Sequence, residues 1–229
     1  MSGKGNNRHI KRLAASRYIK VSKKTSAYVA KPLPGRHSGD SSIALVTVIK
    51  EKLGLASTSR ETRRIMRAGN IIVNGKEIKE EKYPVGYSDT IHMKGSGETF
   101  VVGVGRHGTF SVEKASKEIA QPFKVIGKYK ARKGKDMIRL HDGRTMAAVA
   151  GVSVNDSVVL GADMSVKEVL KFKEGAKCAV YKGVHAPSTG KITEISAGTS
   201  VREQSVHIKV DESGKDFETV SRNVIVIGA

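Results

Sequence analysis

The spacing of apolar residues divides this 229-residue chain into three regimes. Residues 1–42 repeat apolar positions at neither the helical nor the strand period, and Pro32, Pro34 and Gly35 interrupt them further. Residues 41–69 follow the helical period. Asp40-Ser41-Ser42 can cap a first helix that runs to Leu53, with Gly54 as its stop. The run IALVTVI is β-branched enough for a strand, but the polar end KEKLG and the length favour a helix. Thr58 and Glu61 then fit a capping box, Gly69 sits where a C′ glycine belongs, and a second helix lies between them.

Beyond Gly69 the period drops to that of strands. IIVNGKEI reads as two short strands around a type I′ turn, because Asn74 and Gly75 both tolerate positive φ. YPVGYSDTIHM adds a further short strand. ETFVVGV, GTFSVEKA, FKVIGKYKAR, KDMIRLHDGRTM and DSVVLGA follow with turn signals between them. The remainder, EGAKCAVYKGVHAPSTGKITEI, SVHIKV and NVIVIGA, has the alternation of a small barrel. The expected class is α+β and multidomain. A basic extension over 1–42 leads to a small α/β module over 43–95, a β-rich central domain over 96–170, and a barrel with a closing strand over 171–229.

Charge changes this picture most at the front of the chain. Lys and Arg number 41 against 22 Asp and Glu, a net +19, which favours a polyanionic partner and nucleic acid first. Residues 1–42 alone carry ten bases against one acid. Such a stretch buries little by itself and reads as an extended arm that orders on a partner, with Arg8, Lys11, Arg12, Arg17 and Lys20 its candidate contacts. Ile10, Leu13, Tyr18 and Ile19, interleaved among those bases, suggest docking on an apolar surface as well.

The second helix carries the sharpest signal. At 100° per residue Arg60, Arg63, Arg64 and Arg67 share one narrow arc, while Thr62, Ile65 and Met66 fall opposite, toward a core. Like charges at this spacing repel by a few tenths of a kcal/mol per pair, a cost that bound phosphates would offset. Lys76 and Lys79 extend the positive surface past the hairpin turn.

Two helices, the second basic, followed by R-A-G-x-I-x-V-N-G-K and Y-P-V-G-x-x-D-x-I, resemble the small RNA-binding fold named after bacterial ribosomal small-subunit protein four. Gly69, Val73, Asn74, Gly75, Lys76, Tyr83, Gly86, Asp89 and Ile91 carry the match. Residues 174–195 resemble the KOW hairpin of SH3-like barrels, with Gly183 as its central glycine and Ala186-Pro187 in its loop. Together with H-I-K-R-L-A-A in the arm, H-D-x-R-T in the central domain and the closing S-R-N-V-I-V-I-G, the whole chain resembles the archaeal and eukaryotic family of small-ribosomal-subunit protein four. Its ending soon after V-I-V-I-G is similar to the archaeal type. One departure is Asn74-Gly75, where eukaryotic members carry Asp-Gly. The resemblance implies a non-catalytic, cytoplasmic constituent of the small subunit. Its partners would be small-subunit ribosomal RNA and neighbouring ribosomal proteins, with no membrane, cofactor, metal or small-molecule substrate. Lys182 and Lys191 would add contacts from the barrel.

Several patterns point elsewhere and fail on context. Gly103-Val104-Gly105-Arg106-His107-Gly108 satisfies G-x-G-x-x-G, but TFSVEK after it reads as a strand, so no helix N-terminus faces a pyrophosphate. Arg139-Leu140-His141-Asp142 comes near the Arg-Leu-Asp motif of pseudouridine synthases, but His141 interrupts it and Asp142-Gly143 is a good hairpin turn. A lone Cys178 excludes an internal disulfide and Cys-based zinc, and the seven histidines lack ligand spacing. No apolar run is long enough to span a bilayer, and the first residues lack the apolar core of a signal peptide. Two rivals remain, an RNA-binding regulator off the ribosome and an RNA-modifying enzyme using Asp142.

Overall fold

The computed structural model of the chain describes residues 10–115, 121–161, 165–199, 201–210 and 216–228. They fall into two compact units, one holding residues 10–103 and 109–115, the other residues 104–108 and the described residues from 121 onward.

In the first unit the arm is folded. Strand β1 (Ile10–Lys11) pairs antiparallel with β2 (Tyr28–Val29), and short helical turns between them carry Ile19 into the core. The first helix begins later than its sequence suggests. Ile43–Ala44 is a strand, β3, and it pairs with β6 (Pro84–Val85). Its β-branched side of the propensity contest wins because a partner edge is present. Helix α1 (Leu45–Thr47) continues into wider, π-type turns over Val48–Lys52, in which the Leu53 N–H donates to the Val48 carbonyl, and Gly54 at φ +65° ends it.

Helix α2 (Ser59–Arg67) has the expected ends. Thr58 Oγ1 accepts from the Glu61 N–H at 3.2 Å, and Glu61 in turn accepts from the backbone and hydroxyl of Ser57. Gly69 follows at φ +76°. Strands β4 (Ile71–Val73) and β5 (Lys76–Glu77) close through Asn74 at φ +49° and Gly75 at φ +77°, the I′ geometry. Strands β7 (Thr90–Met93), β8 (Thr99–Gly105) and β9 (Thr109–Ala115) complete a sheet of order β5-β4-β7-β8-β9. Thus ETFVVGV and GTFSVEKA extend the sheet of the RNA-binding-like module, although the chain pattern groups them with the central domain. Ile43, Leu45, Ile49, Met66, Ile71, Ile91 and Phe100 belong to this unit's apolar core.

The second unit contains two five-stranded antiparallel sheets. One is made of β10 (Pro122–Lys130), β11 (Asp136–Leu140), β12 (Thr145–Ala147), β13 (Ser157–Leu160) and β14 (Val166–Leu170), ordered β12-β11-β10-β13-β14. The other is made of β15 (Lys177–Val180), β16 (Ser188–Ser196), β17 (Ser205–Val210), β18 (Asp216–Val220) and β19 (Val224–Gly228), ordered β18-β17-β16-β15-β19. Each packs its own core, around Phe123, Val125, Ile138, Leu140 and Val158 in the first and Cys178, Val206, Ile208, Val224 and Val226 in the second.

Polar ties join the two sheets. Lys124, 2% exposed, donates to the carbonyls of Ser221 and Val224, the latter at 2.8 Å. Burial pushes its pKa down to about 7. Ser157 Oγ accepts from the Val226 N–H at 3.0 Å, and the Asn155 amide donates to Gln204 at 3.0 Å.

Candidate nucleic-acid interface

Helix α2 presents the arginine arc as its sequence indicates. Arg60, Arg63, Arg64 and Arg67 are all exposed, Thr62 and Met66 are buried beneath them, and Ile65 is half-buried. One member is engaged within the unit: Arg63 Nε pairs with Glu81, an acid that helical spacing could not reveal. Among the described residues Arg60, Arg64 and Arg67 have no carboxylate partner, so three cations of like sign face solvent side by side.

The hairpin beside the arc is braced from below. Asn74 Nδ2 donates to Asp89 Oδ1 at 2.6 Å, while Asn74 Oδ1 accepts from the Thr90 N–H at 3.0 Å. Asp89, 1% exposed, also accepts from the Gly86 N–H and contacts His37 Nε2, both at 2.8 Å. Burial acts to raise its pKa, but the bonds from His37, Gly86 and Asn74 outweigh it and hold the carboxyl below the usual range. Gly86 leaves room for this arrangement: a Cβ there would lie 2.4 Å from the His37 ring. Lys76 is exposed at the turn. Lys79 is exposed too but pairs with Glu77, which Lys94 shares.

The arm sorts its candidates differently from expectation. Lys11, Arg17 and Lys20 are exposed. Arg12 is not available to a partner. It is 3% exposed, with Nε on Ser26 Oγ at 2.9 Å, Nη1 on the Ser22 carbonyl at 2.7 Å, and both Nη atoms on the Glu51 carboxylate. A bidentate pair at this burial is a structural tie between arm and helical turn, not a contact waiting for phosphate. From Ile10 onward the segment therefore packs on the first unit, in place of the extended arm that its composition suggests. Arg8 lies outside the described residues.

In the barrel, Lys182 is half-buried, with Nζ 5.9 Å from the Tyr181 ring centre. Lys191 is exposed on β16, and the register adds two neighbours that sequence reading missed. Lys177 lies directly opposite it on β15 and Lys209 directly opposite on β17, both exposed. Three lysines in one cross-strand row repel one another, so the row is suited to an anion. Only strand register could reveal it.

The competing motifs acquire ordinary roles. Gly103–Gly105 end β8, and Arg106–Gly108, with His107 at φ +58°, turn the chain directly into β9. Asp142 is fully buried in the β11–β12 turn, where it accepts from the Arg144 N–H at 2.9 Å and pairs with the Arg144 guanidinium at 2.7 Å. These contacts tie the carboxylate into the turn. Among the described residues there is no cluster of metal-ligating side chains, and no helix is long and apolar enough to cross a membrane.

An arginine-striped helix packed on a sheet with an Asn-Gly hairpin at its edge, followed by β-rich domains, defines a protein built around an S4 domain. Residues 45–91 match the S4 domain family, and residues 96–164 match Ribosomal family S4e. A small ribosomal subunit protein eS4 from Methanocella arvoryzae is 34% identical over 96% of this chain and 94% of its own length. Another, from Thermoplasma volcanium, is 36% identical over 96% and 92%. The crystal structure of the 30S ribosomal protein S4e from Thermoplasma acidophilum superposes with a TM-score of 0.71 at 31% identity, covering 83% of this chain and 96% of that one. The chain belongs to the small ribosomal subunit protein eS4 family.

Proposed function

We propose that the protein is a structural, non-catalytic constituent of the small ribosomal subunit that binds small-subunit ribosomal RNA through backbone phosphates and supports assembly and translation in the cytoplasm. The exposed like-charge stripe on α2 carries this reading. It sits in a matched S4 domain, within a chain that spans 94% of a relative named for the small subunit. Phosphate contacts fix register without reading sequence, and a row of unpaired arginines on a rigid helix meets that need. The contact set is Arg60, Arg64 and Arg67, joined by Lys76 at the turn and by Lys11, Arg17 and Lys20 from the folded arm. Arg8 belongs to the same basic stretch. Arg63 and Lys79 enter by exchanging Glu81 and Glu77 for phosphate, while the lysine row around Lys191, with Lys182, serves the barrel. Arg12 has no part in it. Neighbouring small-subunit proteins are the remaining partners.

Sedimentation tests the reading. Small subunits washed in high salt should retain the chain in stoichiometric amount, and its loss to the supernatant fraction under those conditions would overturn it.

A further inference from the structure

Five exposed cations lie on the β10–β11 hairpin: Lys128, Lys130, Arg132, Lys135 and Arg139. Asp136 is the one acid between Gly127 and Arg139, and among the described residues none of the five cations makes an ion pair. No residue of this hairpin figures in the contact set above.

The register gives the hairpin two unlike faces. Val125 opposite Leu140, and Lys128 opposite Ile138, turn Ile138 and Leu140 into the core. A bulge after Val125 shifts the alternation, so Gly127 opposite Arg139 and Tyr129 opposite Met137 share the outer face. Strand β12 continues both rows, with Thr145 beside Arg139 and Ala147 beside Met137. Tyr129 is 45% exposed there. Next to it Gly127 leaves a gap, since a Cβ built at that position meets nothing within 4 Å. The outer face therefore sets a tyrosine ring and an arginine around the open position of Gly127, has no carboxylate in its cross-strand rows, and leads to a cationic tip.

We infer that this face is a second RNA-binding site, one that takes an unpaired nucleotide of a single-stranded segment. It rests on the RNA-binding reading above. The base lies over Gly127 and stacks on Tyr129, the Arg139 guanidinium covers its other edge, and Arg132 and Lys135 hold the flanking phosphates. A duplex offers no free base face and gains only the phosphate contacts.

The test uses the full chain, with a dye-labelled single-stranded RNA of mixed sequence about a dozen nucleotides long and a duplex of the same length. Tyr129→Ala should weaken binding of the single strand roughly 5- to 100-fold and leave the duplex unaffected. Tyr129→Phe should bind like the parent. Gly127→Val fills the open position where the backbone has space for a side chain, so it should fold normally, as judged by its melting temperature, and bind the single strand as poorly as Tyr129→Ala. Unchanged single-strand binding by Tyr129→Ala or by a folded Gly127→Val overturns this proposal. It leaves the ribosomal reading standing if the parent still sediments with small subunits. Failure of the parent to bind either RNA overturns this proposal too, and the ribosomal reading then stands or falls on sedimentation alone.

Discussion

Asn74 shows how much one side-chain atom decides. Its positive φ suits the turn, as it would for Asp, but its amide nitrogen donates into a carboxylate that already serves Gly86 and His37. Asn74→Asp would keep the turn and place a second carboxylate against buried Asp89. We expect a loss of roughly 2–4 kcal/mol in urea denaturation at pH 7, shrinking toward pH 4 as the pair takes up a proton. The parent behaves oppositely. Asp89 titrates below its unfolded value, so the stability it confers is complete above the normal carboxylate range and fades as pH falls through the depressed value. Equal stability of parent and variant at pH 7 would show that the contact is dispensable. The turn itself is legible in the sequence because Asn-Gly chemistry is local. Its anchor is not, since the motif marks Asp89 but only the sheet shows that its carboxylate meets the Asn74 amide.

At the scale of elements, α2 is legible almost completely. Cap, stop, core face and charged face all lie within a dozen residues, and each obeys local geometry. Ile43–Ala44 is not, because its strand partner arrives only with Pro84–Val85. Nor is the pairing of Arg63 with Glu81. That pairing separates the arginines experimentally. Arg60→Gln, Arg64→Gln and Arg67→Gln combined should flatten the salt dependence of ribosomal RNA binding by roughly two units of log–log slope, while the melting temperature stays level or rises as repulsion is relieved. Arg63→Gln alone should change the slope less. A triple variant with an unchanged slope would leave the stripe as solvated surface.

At the scale of the molecule, the chain's pattern gives the succession of parts but not their seams. ETFVVGV and GTFSVEKA read as strands, yet only hydrogen bonding assigns them to the first unit's sheet. In the sequence Lys124 reads like Lys128 and Lys130 further along the same strand, which are exposed, and only the packing of β10 against β19 makes it a buried tie. Its folded pKa near 7 lies below the unfolded 10.5, so the unfolded chain binds the extra proton between those values. Stability should therefore rise with pH across that window, by at most about 1.4 kcal/mol per pH unit from this group. Lys124→Met should remove the rise, and parallel curves for parent and variant from pH 7 to 9.5 would refute the assignment. The Arg12–Glu51 tie has a kinetic consequence. Ordering a loose segment costs about 1–2 kcal/mol per residue, and here residues from Ile10 onward meet that cost during folding, before any RNA is present. The encounter with RNA is then a docking of rigid charge, whose rate follows electrostatic steering and ionic strength and is not slowed by a conformational search.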